Sequence, residues 1–501
     1  MKFNKYILGV SLCSMLVVAS SSCKKVLDVT PTYTKDGSQI FTSITDYEYA
    51  LTGAYSLFRQ TGYYGNSANT TGAWSTLPDM MGEDLLQTTE DLTNSANLTN
   101  YTFNTLENDI LTIWTAAYRV VNQANIVLRN IDQFNTTQPK AVNRIKGQAL
   151  AIRAFAHFDL LRYWGADFDR NSTGLGVPYV TVVDQTYKPS RPTVKEDYDQ
   201  ILANLTAAET LLQNVDATIN TSSSARTLID VTVVRAMLAR VYLYTKNYTL
   251  AESYATQVIT AIPLATADNF PNVWKDSYTT TEVIWSVAYN SGDGSPSFNL
   301  NTSSTNRNSY KPTSTIINLF DNKTADIRFS SYIASRTTGT GTAIITDPAS
   351  TITRKIVNKY VGKGSNVDNV VNWKVLRTGE MYLIRAEARA MQTGKESLAL
   401  ADLNTLRAAR ITGYSNTTLT GQALIDAIFT ERRKELFAEG HRWFDLKRTT
   451  RTIQRTDLSG GAQSVKDATS LPSSSKVWVF PIPQSELDAN ANIRNQQSTG
   501  W

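Results

Sequence analysis

The chain is poor in cysteine and histidine: Cys13, Cys23, His157 and His441 are the only four among 501 residues. With Cys13 inside an apolar run and a single cysteine beyond it, neither a disulfide framework nor a cysteine-based metal site can be assembled. The histidines are far apart, and no His-x-x-x-His pair, phosphate-cradling glycine loop or Gly-x-Ser-x-Gly elbow accompanies them. Charge is scarce as well, at 19 % of residues with a net +5 and no long run of one sign, which argues against nucleic acid as a partner. No cofactor, metal or catalytic residue is expected. A segment of ~20 apolar residues able to cross a bilayer is also missing.

What is present begins at the amino terminus. Lys2 and Lys5 precede an apolar run from Ile7 to Ala19, followed by Ser20-Ser21-Ser22-Cys23. Such an order reads as a lipoprotein signal, with residues 1–22 removed and a lipid attached at Cys23. Stability must then come from burial, for which 24 Tyr, 9 Trp and 16 Phe supply large apolar surfaces. Asn-, Thr- and Ser-rich stretches at 94–104, 218–227 and 291–309 favour loops, because their short polar side chains compete for local backbone hydrogen bonds.

Helical periodicity is clear over 109–133 and 140–164, where Ile145, Ala149, Ile152, Ala156, Leu160 and Tyr163 form one stripe and Gly165 is placed to end the helix. From Asp230 to Pro263, Leu238-Ala239, Tyr242, Ala251 and Pro263 fall at tetratricopeptide-repeat spacings. A further hairpin is expected from Tyr382 through Gly394 to Leu406. Between Pro263 and that hairpin, 282–289 and 355–360 read as short strands among loops. The expected fold is mainly α: tetratricopeptide-like hairpins forming a scaffold, with long loops and a few short strands in an irregular insert.

Several separated blocks resemble the SusD-like, RagB-type outer-membrane nutrient-binding lipoproteins. They are Leu27-Asp28-Val29-Thr30-Pro31; Trp114, Tyr118, Asn122 and Asn125; the run from Arg153 to Gly165; Tyr382 to Ala388; Glu431 through Arg448; and Phe480-Pro481-Ile482-Pro483 to Leu487 with Asn490. The resemblance implies a signal over 1–22, an N-terminal helical region over 23–275 and a C-terminal region over 276–501. It also implies a non-enzymatic protein, lipid-anchored in the outer membrane and facing the medium. There it would bind oligosaccharide or polysaccharide and pass it to a SusC-like TonB-dependent transporter. Lys24-Lys25 stands where surface-directed members often carry acids. Two rivals remain open, a peptide-binding RagB-type transporter lid and a surface glycoside hydrolase.

A sugar ring offers an apolar face and a rim of hydroxyls, so its site wants an exposed aromatic beside Asn, Asp or Arg. Two loops carry such sets: Tyr64, Asn69, Trp74 and Asp79 in the first, and Asn290, Asp293, Phe298 and Tyr310 in the second. Glu431, Glu435 and Glu439 repeat every four residues along a predicted helix. Paired carboxylates serve glycoside hydrolysis, but carboxylates on one helical face amid arginines read instead as ion pairs with Arg432, Arg442 and Arg385. The acids of 79–84 are read as helix-start contacts rather than cation ligands.

Overall fold

The computed structural model describes residues 40–66, 71–88, 95–221, 225–277, 282–293, 295–297, 300, 309–337, 353–366, 368–455 and 470–501. The signal 1–22, Cys23, Asn69 and Phe298 lie outside the described residues. Contacts divide the described residues into two units, 40–47 and those from 48 to 501. In the first, Asp46 Oδ2 accepts the amides of Thr42 and Ser43 (3.0 and 2.9 Å), and Ser43 Oγ accepts the Asp46 amide (3.3 Å). This reciprocal cap starts helix α1 (Ile44–Leu57).

The second unit is built on helices of seven residues or more, of which periodicity predicts the pairs at 109–164, 230–263 and 382–406: α2 (Asn108–Leu128), α3 (Pro139–Trp164), α4 (Val194–Leu212), α5 (Val231–Tyr244), α6 (Tyr248–Ala261), α7 (Thr378–Ala390), α8 (Glu396–Ala408), α9 (Gly421–Glu435) and α10 (Arg442–Arg448). Successive helices pack as hairpins, α2 on α3, α3 on α4, α5 on α6 and α7 on α8, while α6 also packs on α7 across the intervening insert. Helix α3 is the axis of this array. Proline at its first position costs no hydrogen bond, its whole 149–164 stretch except Arg153 is buried, and its chain turns at Gly165. Gly147 sets the crossing with α4, since a Cβ there would stand 2.8 Å from Leu212 Cγ.

Local signals start the following helices. Thr193 and Glu196 form a capping box on α4, with Thr193 N donating to Glu196 Oε2 at 2.8 Å and Glu196 N to Thr193 Oγ1 at 3.2 Å. Asp230 caps α5 through the Val233 amide (2.9 Å), and Asn247 caps α6 through the Leu250 amide (3.2 Å). Pro263 follows α6 where the repeat pattern requires a stop.

The strands are minor. Antiparallel two-stranded ribbons pair β1 (Leu85–Gln87) with β3 (Tyr310–Pro312), β2 (Val283–Val287) with β6 (Trp373–Arg377), β4 (Ile333–Thr337) with β5 (Thr353–Val357), and β7 (Ile453–Gln454) with β8 (Ser470–Leu471). Every residue of β2 and β6 is buried. Trp285 of β2 meets Phe58 and Phe155 edge-on at 5.3 and 5.8 Å, which ties the insert to the helical array.

Candidate functional site

The carboxylates with hydrolase-like spacing are buried among cations. Glu435 accepts from Arg328, Arg377 and Arg410 at 3.1, 3.0 and 3.0 Å. Glu431 pairs with Arg328 and Arg407 at 2.6 and 2.7 Å, and Glu439 with Arg377 and Lys359, both at 2.7 Å. Glu282 joins the network through Arg410 at 2.7 Å and through Arg377. The ion-pair expectation therefore holds, but with other partners. Arg432 pairs with Asp445, Arg442 with Glu83, and Arg385 with Asp402. The sequence places all three glutamates on one helix, whereas α9 stops at Glu435 and the turn through Ala438 (φ +57°) and Gly440 (φ +81°) carries Glu439 back to Arg377.

Both histidines belong to the frame. Burial pushes His157 down to about 3; its Nδ1 lies 2.8 Å from the Arg153 carbonyl, and its Nε2 accepts the Val180 amide at 3.0 Å. His441 is likewise pushed down, by burial first and then by Arg240, Arg432 and Arg162.

The first loop set is corrected. Trp74 is not an exposed platform: it is 2 % exposed, its indole N–H donates to the Asp159 carbonyl at 3.1 Å, and Tyr63 packs 4.4 Å from its ring. Tyr64 is also buried, 6.4 Å from Trp373 in a stacked pair. Asp79 is buried, and its two oxygens accept the amides of Ala438 (3.1 Å) and Gly440 (2.6 Å). Burial pushes its carboxyl up to about 8. The neighbouring acids Glu83 and Asp84 are taken by Arg442 and Arg433. The physical reason is packing: Gly72 and Gly440 let this loop fold onto the core, so its aromatics fill volume rather than face solvent. Trp74→Phe is expected to cost about 2 kcal/mol, from the lost indole hydrogen bond and the smaller ring. Chemical denaturation would show it; an unchanged midpoint would return Trp74 to the surface.

The second set divides. Tyr310 is corrected too, since it is buried in β3 with its hydroxyl 3.1 Å from Thr99 Oγ1. Asn290 and Asp293 remain at the surface, closed in a turn by Asp293 N to Asn290 O (3.0 Å) and Asn290 N to Asp293 Oδ2 (2.8 Å). Asp293 also pairs with Arg59 at 3.3 Å.

An aromatic groove that sequence reasoning missed lies elsewhere, between α2 and the irregular strap 178–192. It has a volume of about 560 Å³, within the range of small-ligand sites. Trp114, Tyr118 and Pro178 form its floor, and Tyr187, Lys188, Arg119, Asn122 and Asn490 line its walls. The strap has no helix or strand, yet its backbone is fixed at many points. Pro178 O accepts Tyr118 OH (2.8 Å), Val180 O accepts Asn125 Nδ2 (2.9 Å), and Pro189 O accepts Asn490 Nδ2 (2.8 Å). Arg191, buried, donates to Gly176 O, Gln496 O and Trp164 O at 2.7, 2.7 and 2.8 Å. Tyr187 stands 48 % exposed on this rigid strap. Glu486 is the one acid lining the groove; burial raises its carboxyl, opposed by the Trp114 indole N–H that points to it. The signal for this groove was present in Trp114, Tyr118 and Asn122, spaced four apart on α2. They read equally well as framework until the strap was seen to cross them.

Two family models match the chain, one described as the SusD family over residues 328–501 and one described as starch-binding associating with outer membrane over 36–243. SusD-like protein P38 of Formosa agariphila is 25 % identical over 485 residues, covering 87 % of this chain and 89 % of its own. Among solved structures, a SusD superfamily protein from Bacteroides thetaiotaomicron is 27 % identical with a TM-score of 0.77, covering 91 % of this chain and 99 % of that one. A putative sugar binding protein from Bacteroides vulgatus is 25 % identical with a TM-score of 0.73, covering 91 % and 98 %. The chain belongs to the SusD family, and its hairpin array is that family's fold.

Proposed function

We propose that this protein is a non-enzymatic, glycan-binding lipoprotein of the outer membrane that captures oligosaccharide and delivers it to a SusC-like TonB-dependent transporter. The observation that carries the reading is the groove under Tyr187, where an exposed aromatic on a fixed strap lies beside amide and cationic side chains. That is the pairing of apolar face and polar rim that a sugar presents in mirror. Family membership and the sugar-binding relative support the ligand class. Commitment of Glu431, Glu435 and Glu439 to buried cations supports binding without cleavage, because none is left as an acid facing a base across a substrate.

The lipid at Cys23 rests on the sequence signal and outer-membrane association on the family description, while the outward orientation rests on the family resemblance alone, with Lys24-Lys25 standing against it. No helix among the described residues is long and apolar enough to cross a membrane. Asn290 and Asp293, still at the surface, remain proposed ligand contacts.

Calorimetry of purified protein against polysaccharides and peptides tests the reading. One glycan class is expected to bind with modest affinity that rises with chain length, without release of product. Heat from peptides with silence across glycans would replace the proposal by the peptide-binding lid. Product released from labelled glycan would replace it by the hydrolase.

A further inference from the structure

The charged groups of the groove are uneven. Arg119 and Lys188 line it, both are exposed, and neither side chain has an acid partner among the described residues. Several partly exposed arginines are paired, Arg144 with Asp216 and Glu48, Arg170 with Asp199, Arg226 with Asp230, and Arg235 with Glu209, whereas Arg494 reaches only the Asp488 carbonyl. The strap's own acid, Asp184, is spent on a local turn, accepting Thr186 N at 2.8 Å and Thr186 Oγ1 at 2.7 Å. The groove acid Glu486 receives the Trp114 indole N–H and forms no ion pair with Arg119 or Lys188. Asn122 and Gln185 add amides without protein partners on the same walls. The groove thus holds two unneutralised cations beside one exposed aromatic ring.

We propose that this groove binds a uronate-bearing glycan, with a sugar ring on Tyr187 and the uronate carboxylate on Arg119 and Lys188. The inference deepens the glycan-binding reading and rests on it. Arginine suits the task because its planar fork matches a carboxylate in two parallel hydrogen bonds, and a charge-assisted bond is stronger than the neutral bonds a hexose hydroxyl can make. The strap needs no ordering on binding, since its carbonyls at 178, 180, 188 and 189 are already held by Tyr118, Asn125, Asn492 and Asn490. A neutral glycan would use the ring and the amides but leave both cations without a partner.

The test compares polygalacturonate with its fully methyl-esterified form, which keeps the backbone and removes the charge. Wild-type protein is expected to bind polygalacturonate roughly tenfold more tightly than the ester, the magnitude of one charge-assisted hydrogen bond. That preference is expected to shrink at high salt, as screening of exposed charges requires. Arg119→Gln should weaken polygalacturonate binding more than ester binding and so shrink the preference, whereas Tyr187→Ala should weaken both forms by roughly tenfold. Both residues are exposed and neither holds the strap, so thermal midpoints should match wild type. Equal binding of the two forms, or an Arg119→Gln protein that keeps the preference undiminished, overturns the uronate assignment while glycan capture stands. No binding to these or any other glycan overturns both.

Discussion

Replacing Glu435 with Gln is expected to destabilise the protein by about 3–5 kcal/mol, the cost of stripping one partner from a buried ion network. The glutamate is fully buried and accepts from three guanidiniums, those of Arg328, Arg377 and Arg410. Gln keeps the shape but supplies no charge, so three buried cations would share the remaining carboxylates of Glu282, Glu431, Glu439 and Asp326. Urea unfolding of wild type and variant would measure the difference. A shift below about 1 kcal/mol would mean that the network is solvated and does not hold the insert to the helices.

The same residues set the response to acid. Burial alone would raise the Glu431 carboxyl, but Arg328, Lys434 and Arg407 outweigh it and hold it at about 2; Glu435 is held down in the same way by Arg410, Arg377 and Arg328. A carboxyl whose folded pKa lies below its unfolded value contributes stability that is fully present above the unfolded value, near 4.5, and is lost as pH falls through the folded one. Stability is therefore expected to decline from about pH 4.5 toward pH 2, and Glu435→Gln should flatten part of that decline.

Much of the scaffold could be read from residue order because it is local. The stripe through Ile145, Ile152 and Leu160 with Gly165 at its end marks α3, and Asp230 to Pro263 marks α5 and α6, since periodicity and caps act within a few residues. Strand pairs were visible only as halves. The run at 282–289 looks like a strand, but its partner β6 is about ninety residues away and only the fold brings them together.

The ligand face was read less well for the same reason. Trp74 in a Gly- and Asn-rich segment has the composition of an exposed loop, and composition says nothing of Asp159, whose carbonyl receives its indole, or of Tyr163, whose hydroxyl donates to Ala73 O at 2.6 Å. Tyr187 carries no such local mark. Its exposure depends on Arg191, Asn490 and Asn492 pinning the strap from distant parts of the chain, and no spacing rule connects them. Charge pairing failed halfway: the excess of arginine around Glu431 announces ion pairs, yet Arg328, Arg377 and Arg410 arrive from outside that block.

Gly440→Ala is expected to be nearly as damaging as the loss of Glu435, at about 3 kcal/mol or more, though it removes no charge. The glycine has φ +81°, where an L side chain is strained, and a Cβ would stand 2.5 Å from the Trp74 carbonyl oxygen and 2.6 Å from that of Ser75. Both obstacles are backbone, so neither can rotate away. Relief requires the 438–441 turn to move from the 72–76 loop, which would pull the Gly440 amide from Asp79 Oδ2, now 2.6 Å away. Gly394 supplies the control, because it shares a positive φ (+78°) but has nothing within 4 Å of the place a Cβ would take. Gly394→Ala should therefore carry the conformational strain alone, about 1 kcal/mol. If the two variants unfold at the same urea concentration, the close approach of the two loops is not what holds Trp74 inside; if Gly440→Ala falls well below Gly394→Ala, the buried position of Trp74 is set by backbone contact with the turn that follows α9.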